Sequence, residues 1–394
     1  MSESQRPLAG LRVVELARIL AGPWIGQTLA DLGADVIKVE APEGDDTRRW
    51  GPPFVEHAAG GGSDAAYYHC CNRGKRSVTA DLKSDEGRAF VRDLAARADV
   101  FIENFKVGGL VKFGLDYASL REINPRLVYC SVTGFGQTGP YAERAGYDAM
   151  IQAMSGIMAL TGEADGTPQK MGVAFADIFS GVYGVIGIQA ALLQRERTGQ
   201  GQHVDIALLD SMVGVLANQN MNYLVSGTVP PRMGTAHPNI VPYQVFAVAD
   251  GHVMLATGND AQYRKVCEIL GVANLATDPD YATNQNRVLN RATLIPKLTA
   301  AFASRGRDEL LASFEAAGVP AGPINTLADV HADPQVRHRG LRVDLPAPWL
   351  AGGTVPGVRT PVVFSAATLT LDRASPGLGQ HTAEVRAELY GTRN

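Results

Sequence analysis

Leu11-Arg12-Val13-Val14-Glu15-Leu16, followed by Gly22-Pro23, Gly33 and then Asp35-Val36-Ile37-Lys38-Val39-Glu40, is the stretch that decides the fold. The first run is apolar and β-branched and reads as a strand. Gly22-Pro23 opens a helix, because proline's fixed φ and missing N–H are tolerated where no helical bond is yet due. That helix runs to about Leu32 and stops at Gly33. Residues 35–40 form the next strand. A strand, a crossover helix and a second strand make a βαβ unit with a parallel pair. The pattern then repeats: residues 77–82 read as a strand, 85–96 as a helix, 99–104 as a strand, and 127–133 as a strand entering a Gly-rich stretch. This alternation predicts an α/β first half with a Rossmann-like parallel sheet.

Beyond that half, residues 147–160 and 177–195 are dense in small and apolar residues and read as buried helices. Residues 204–208 read as a strand and 210–225 as a helix. Composition then shifts: 227–242 carries four prolines, two glycines and His237. Val245 to Ala256, broken at Asp250-Gly251, has the signature of a β-hairpin. Helices follow at 261–270, 294–303 and 307–317. After about Asp329 short strands run among prolines and glycines, and a helix closes the chain near 382–389. The expected organisation is a large Rossmann-like domain over 1–226, a linker or active-site loop over 227–242, a smaller α+β domain over 243–328, and a C-terminal segment over 329–394 that returns to the large domain.

Composition narrows the function. The chain has 394 residues, a net charge of -4, 45% hydrophobic and 19% charged residues. It is long enough for a large core, and its balanced charge argues against nucleic acid or an anionic membrane surface as partner. The four cysteines, Cys70, Cys71, Cys130 and Cys267, form no CxxC, so neither a disulfide framework nor a zinc site is encoded. No apolar run approaches the ~20 residues of a membrane span. The polar N-terminus lacks the apolar core of a secretory signal. A cytoplasmic location is expected, with no metal and no permanently bound cofactor.

Several common explanations are missing from the motifs. The first strand–helix turn, Ala17-Arg18-Ile19-Leu20-Ala21-Gly22-Pro23, is not G-x-G-x-x-G, so the close approach to a dinucleotide pyrophosphate is not encoded. There is no Walker A sequence, no G-x-S-x-G and no H-E-x-x-H. Against that background Gly172-Val173-Ala174-Phe175-Ala176-Asp177-Ile178-Phe179-Ser180-Gly181 stands out, an acid among apolar and small residues where a long helix begins. Asp177 reads first as a helix N-cap, for which Asp is a preferred residue. It also reads as a core acid paired with an arginine, or as a nucleophile: a carboxylate at a helix N-terminus in a water-poor site is stabilised by the dipole yet more reactive than a hydrated one.

A wider set of motifs settles which reading to carry forward. Leu20-Ala21-Gly22-Pro23, Leu32-Gly33-Ala34-Asp35-Val36-Ile37-Lys38-Val39-Glu40, Asn72-Arg73-Gly74-Lys75-Arg76-Ser77 and Glu103-Asn104-Phe105 occur in that order. Gly134-Phe135-Gly136-Gln137-Thr138-Gly139-Pro140, Ala176-Asp177, Arg197-Thr198-Gly199-Gln200-Gly201-Gln202 and Leu378-Gly379-Gln380-His381-Thr382 follow. In order and spacing, over essentially the whole length, the chain resembles the class III CoA-transferases, the formyl-CoA transferase group. The resemblance implies that family's fold, an interlocked homodimer, and coenzyme A or acyl-CoA as substrate. It makes Asp177 the catalytic nucleophile. It places coenzyme A contacts at Asn104, Phe105, Lys106 and Lys112, and at the run Arg144 to Asp148 with Tyr147. Lys75 and Arg76 are further candidates, lying near a strand end. It sets Gly234 and His237, within Gly234-Thr235-Ala236-His237-Pro238-Asn239, where relatives carry a glycine loop over the active site. One departure is Ala41, where many relatives have arginine after Val-Ile-Lys-Val-Glu.

Two alternatives and a substrate class follow. The same fold hosts α-methylacyl-CoA racemases, which place a histidine in a Gly-His-Asp motif; here Gly146-Tyr147-Asp148 stands there. A phenol, with an ordinary pKa of about 10, replaces that histidine poorly as an acid–base group. A coenzyme A-binding module without catalysis is the third reading. Within the transferases, Asp45-Asp46-Thr47-Arg48-Arg49-Trp50-Gly51-Pro52-Pro53-Phe54 and Ile240-Val241-Pro242-Tyr243-Gln244 are similar to the branch acting on succinate and on glutarate or hydroxymethylglutarate. That implies succinyl-CoA or glutaryl-CoA as donor and a dicarboxylate acceptor. A distal carboxylate calls for an arginine fork, and Arg48, Arg18, Arg49 and Arg232 are the candidates.

Overall fold

The computed structural model describes residues 6–391, and the chain divides into two units. The first unit takes residues up to 157, 170–224 and from 337 onward. Its centre is a six-stranded parallel sheet of β1 (Arg12–Leu16), β2 (Asp35–Glu40), β3 (Arg76–Thr79), β4 (Val100–Glu103), β5 (Val128–Thr133) and β6 (His203–Ala207). The strand order is β3-β2-β1-β4-β5-β6, the doubly wound arrangement that starts in the middle and grows outward in both directions. Five of the six strands, β1 to β5, are buried almost throughout. A parallel sheet covered on both faces needs such continuous apolar strands rather than alternating ones.

Helices cover both faces. On one face α1 (Ala21–Asp31) and a long helix between β5 and β6 pack over Val13, Ile102, Val128 and Cys130. On the other, α2 (Asp85–Ala96), α3 (Tyr117–Ile123) and the closing helix Thr382–Tyr390 pack over Val14, Ile37, Phe101 and Tyr129. Pro23 lies in the first turn of α1, where a missing N–H costs nothing, and Gly33 ends the segment at φ +105°. The helix expected over 147–160 is interrupted: α4 (Asp148–Met154) ends at Ser155, and Gly156 has φ +93°. The long helix, α5 (Phe175–Thr198), starts two residues earlier than expected. It is long and apolar enough by composition to cross a membrane, but one face is spent on the core through Ala176, Gly184, Ile188 and Leu192. The helix expected over 210–225 is two pieces, α6 (Leu208–Val215) and Ala217–Ser226. Ala217 at φ +40° cannot sit inside an α-helix.

The second unit takes residues 158–169 and 225–336. The proline-rich stretch 227–242 belongs to it. Its sheet is antiparallel, ordered β9 (Ala321–Pro323), β8 (Gly251–Ala256), β7 (Tyr243–Val248), with the β7–β8 hairpin turning at Asp250-Gly251. Helices Asp260–Ile269, Arg291–Ala303 and Arg307–Ala317 close a core in which Phe246 and Phe302 stack with centroids 4.3 Å apart.

Candidate active site

In a doubly wound sheet the chain leaves β1 and β4 in opposite directions, and the diverging connections open a crevice at their carboxyl ends. Here that crevice is a cavity of about 490 Å³. The turn Arg18–Ala21 after β1, the segment from Asn104 to Lys112 after β4, Gly134 after β5, the run from Arg144 to Tyr147, and Asp177 line it. Asn104 ties the first two walls together: its Oδ1 accepts from Arg18 N–H at 3.1 Å and its Nδ2 donates to Arg18 C=O at 2.6 Å. In the same turn Ile19 has φ +73°, a strained conformation for a β-branched residue and a feature that clusters at functional sites. Asp45 accepts from Ile19 N–H, and buried Lys38 donates to Ala17 C=O, so the turn is held from beneath. On the far wall Gly134 and Gly146 let two backbones touch. A Cβ on Gly134 would lie 2.6 Å from Gly146 Cα.

Asp177 is not the helix cap. The N-cap is Ala174, with no side-chain bond, and Asp177 is the third residue of α5. The true start has no cap residue because Asp148, from the N-terminus of α4, serves instead: its Oδ1 accepts from Ala176 N–H at 2.8 Å. Gln152 Nε2 holds the other Asp148 oxygen at 2.8 Å. Among the described residues the Asp177 carboxylate makes no hydrogen bond and no ion pair. Burial, and then the negative charge of Asp148, push it up from 3.8 to about 7. Sequence reasoning missed one neighbour, Tyr67 on the short helix Ala66–His69: burial and then the charge of Asp177 raise its phenol. Nothing in an Ala-Tyr-Tyr-His run marks it.

The cations sort into two groups. Lys106, Lys112 and Arg144 line the cavity, are exposed, and make no ion pair among the described residues. Arg144 lies over the Tyr141 ring at 3.9 Å and Lys112 over Phe113 at 4.9 Å. Phe105 and Tyr147 also line the cavity, and Asp148 is one residue beyond it. Arg76 does not join them. It starts β3 at the opposite, amino end of the sheet, where Asp35, Glu384 and Glu388 occupy its guanidinium. Lys75 is fully buried and bonded to Glu15, Asn72 and Pro23 C=O. Arg48 is not a free fork either. It is buried, bidentate to Glu40 at 2.8 Å on both oxygens, and further bonded to Asp64, Tyr68 and Pro376 C=O. Buried, with all three nitrogens bonded inside the fold and two carboxylates already on its fork, it is not placed to receive a substrate carboxylate. Of the remaining arginines, Arg18 lines the cavity but pairs with Asp46, and Arg49 also holds Asp46. Arg232, in the second unit, donates to the backbone carbonyls of Ala159, Glu163 and Gly166.

Gly234 and His237 also belong to the second unit. Gly234 has φ +60°, and His237 donates its N–H to Tyr243 C=O. The His237 ring accepts from Asn239 N–H at Nδ1. Among the described residues no group of three or more His, Cys, Asp or Glu side chains is arranged to hold a metal.

A second concavity, of about 330 Å³, shares Arg18, Phe105 and Phe113 with the first and runs on past Val39, Ala41, Pro42 and Lys83. Together the two concavities are lined by apolar side chains such as Ile19, Leu20, Phe105, Phe113 and Val39, by the exposed cations Lys106, Lys112, Arg144 and Lys83, and, in the first, by the Asp177 carboxylate. Such a site takes an extended anionic ligand and presents its reacting end to a nucleophile.

The model of the family described as CoA-transferase family III matches residues 8–382. A succinate–glutarate CoA-transferase of Agrobacterium fabrum is 58% identical over 390 residues, covering 99% of this chain and 97% of that protein. A succinyl-CoA:glutarate CoA-transferase of Homo sapiens is 43% identical over 385 residues, covering 98% and 86%. Among solved structures, a CAIB/BAIF family protein from Brucella suis superposes with a TM-score of 0.87 at 62% identity, covering 98% of this chain and all of that one.

Proposed function

The chain belongs to CoA-transferase family III and is a CoA-transferase; from that premise we propose that it carries coenzyme A from succinyl-CoA or glutaryl-CoA to a dicarboxylate acceptor such as glutarate or hydroxymethylglutarate, through covalent intermediates on Asp177. The observation that carries this reading is the Asp177 carboxylate: half-buried, without a hydrogen bond or ion pair among the described residues, and lining the cavity with Lys106, Lys112 and Arg144.

The chemistry follows from that placement. Asp177 attacks the thioester carbonyl of the donor. The C–S bond breaks, the electron pair leaves on the coenzyme A sulfur, and a mixed anhydride joins Asp177 to the donor acyl group. The thiolate then attacks the aspartyl carbonyl, releasing the donor acid as a carboxylate and leaving an aspartyl thioester. The acceptor carboxylate attacks that carbonyl, expels the thiolate, and forms a second anhydride. Thiolate attack on the acceptor's acyl carbon releases the new acyl-CoA and restores Asp177. A thioester is spent and a thioester is made, so the covalent route conserves its energy. A carboxylate with no hydrogen bonds to lose is a stronger nucleophile than a solvated one, and its low-dielectric surroundings keep competing water away from the anhydrides.

The two concavities suit coenzyme A in the same reading. The reacting end lies by Asp177, and Lys106, Lys112 and Arg144 meet the phosphates. The adenosine reaches the concavity of Val39, Pro42 and Phe113. Lys83, at its edge, compensates for the basic residue absent at Ala41. Assembly belongs to the proposal too: an interlocked homodimer is supported by a stripe of exposed apolar residues on α5, among them Val182, Ile186 and Leu193. Four free cysteines suit a reducing compartment, and we place the enzyme in the cytoplasm.

The test is a panel of donors and acceptors read by mass spectrometry. Succinyl-CoA with glutarate should yield glutaryl-CoA, and hydroxylamine added during turnover should label the peptide bearing Asp177. An Asp177→Ala variant that transfers coenzyme A as fast as the parent would end the proposal.

A further inference from the structure

A second polar cluster lies behind the coenzyme loop, on the other face of the sheet. Glu103 ends β4, Ser131 is its direct neighbour across on β5, and Asp205 is the neighbour of Ser131 on β6. Strand alternation points all three to the face opposite α1 and α5, the face that also carries Phe101 and Tyr129. Glu103 and Ser131 are 5% and 1% exposed. A buried acid at this depth needs a reason, because desolvation opposes its charge. Its Oε2 accepts from Phe105 N–H at 2.7 Å. The Ser131 hydroxyl faces the carboxylate and favours its charged form. Ser131 Oγ in turn bonds His203 Nε2 at 2.8 Å, and Tyr117 stacks on the His203 ring with centroids 5.1 Å apart.

The bond to Phe105 falls at a vulnerable point. The segment after β4 is a wall with empty space on both sides. Lys106, Val107 and Gly109 line the cavity that holds Asp177, and the same three residues line a separate cavity of about 290 Å³ bounded by Glu103, Ser131 and His203. The wall turns tightly, with Gly109 N–H donating to Lys106 C=O at 2.7 Å. A chain segment with cavities on both sides is fixed by its hydrogen bonds more than by packing, and those bonds are few.

We propose that Glu103, held by Ser131 and His203, is a positioning residue for the coenzyme-binding wall, setting acyl-CoA affinity without touching the reacting atoms. The reasoning rests on the reading that the Asp177 cavity takes coenzyme A. Phe105 lines both the Asp177 cavity and the concavity of Val39 and Pro42, so the direction of its backbone sets the place of its ring and of Lys106 beside it. An ionised acceptor makes the stronger bond to a backbone N–H, and two anchored ends, Asn104 to Arg18 and Phe105 to Glu103, fix the wall where one would leave it to swing.

Calorimetric titration of coenzyme A into the full chain tests this, with steady-state kinetics and amide hydrogen exchange on the same proteins. Glu103→Ala should bind coenzyme A at least about tenfold more weakly, the scale of losing a hydrogen bond to a charged acceptor. KM for the acyl-CoA should rise in parallel, with kcat at saturation within about twofold of the parent. Exchange should quicken in residues 104–109 and not in α5. Glu103→Gln, which keeps an oxygen for Phe105 N–H, should recover affinity to within about threefold. Should Glu103→Ala not fold, Ser131→Ala carries the test, with coenzyme A affinity reduced severalfold. Unchanged affinity in Glu103→Ala, or in Ser131→Ala where that variant stands in, overturns the proposal, as does a fall confined to kcat. A parent chain that binds no coenzyme A overturns the transferase reading itself.

Discussion

In the proposed mechanism Asp177 must be ionised to attack, and burial beside Asp148 raises its carboxyl toward neutrality, so the rate should follow pH where an ordinary carboxylate would leave it flat. Burial and the Asp148 charge push Asp177 from 3.8 to about 7. At pH 5 a group titrating at about 7 is about 1% ionised, whereas one at 3.8 is about 94% ionised. Parent kcat/KM should therefore fall about tenfold per pH step below 7 and reach about one hundredth of its plateau at pH 5. Because burial is the larger cause, Asp148→Asn should lower the inflection without returning it to the ordinary range. The same shift makes a stability statement of known sign. Between 3.8 and about 7 the folded chain binds a proton at Asp177 that the unfolded chain has released, so this group's contribution falls as pH rises. Asp177→Asn should be inactive yet more stable than the parent above pH 7, by about 4 kcal/mol at most, and equal to it below pH 4. The assays are glutaryl-CoA formation from succinyl-CoA by chromatography between pH 5 and 8, and urea unfolding at pH 4 and pH 8. A flat rate profile down to pH 5, or an Asp177→Asn variant less stable than the parent at pH 8, would refute the reasoning.

Gly26→Ala should cost more than about 3 kcal/mol in urea unfolding, since its Cβ would lie 1.8 Å from Glu15 Oε2 in a fully buried network with Lys38 and Lys75; a loss under about 0.5 kcal/mol contradicts this. Lys112→Ala and Arg144→Ala should each raise KM for the acyl-CoA several-fold while leaving KM for the acceptor near the parent value, and a reversed pattern would assign them to the acceptor. Arg76→Gln should leave both KM values alone and lower stability by about 1–2 kcal/mol, because its carboxylate partners are partly exposed. One enantiomer of a 2-methylacyl-CoA in deuterated water, with no acid added, should gain no α-deuterium; incorporation at a turnover-like rate would favour the racemase alternative.

The parallel sheet was legible because its signal is local. Val13-Val14 and Val36-Ile37-Lys38-Val39 are buried on both faces, and such strands announce themselves as apolar runs. The two arginines misplaced at the site show the opposite case. Nothing around Arg76 in sequence says that Glu384 and Glu388 will meet it from the far end of the chain, and nothing around Arg48 says that Glu40 and Asp64 will saturate its fork. A one-dimensional reading sees a cation; only the fold says whether its partner is internal. The start of α5 was misjudged for a related reason. The helix begins on Phe175 without a cap residue of its own, and the acceptor it needs comes from Asp148 in another helix. Glu103 stood within the motif Glu103-Asn104-Phe105 but received no role, because an acid at the end of a strand usually faces water.

Asp177 and Glu103 also show why a raised pKa alone does not identify a nucleophile. Burial lifts both carboxyls to about 7, and each sits beside the same stretch of cavity wall. What separates them is hydrogen-bond bookkeeping. Glu103 has its oxygen filled by Phe105 N–H and the Ser131 hydroxyl beside it, so attack on a carbonyl would break interactions that hold the wall. Asp177 has nothing to break. A buried charge without a partner is costly in an idle protein, and at Asp177 the fold tolerates that cost in a residue that lines the cavity. If the acyl carbon of a bound thioester becomes the missing partner, the ground-state penalty is relieved as the new C–O bond forms. That relief lowers the barrier to transfer rather than tightening substrate binding.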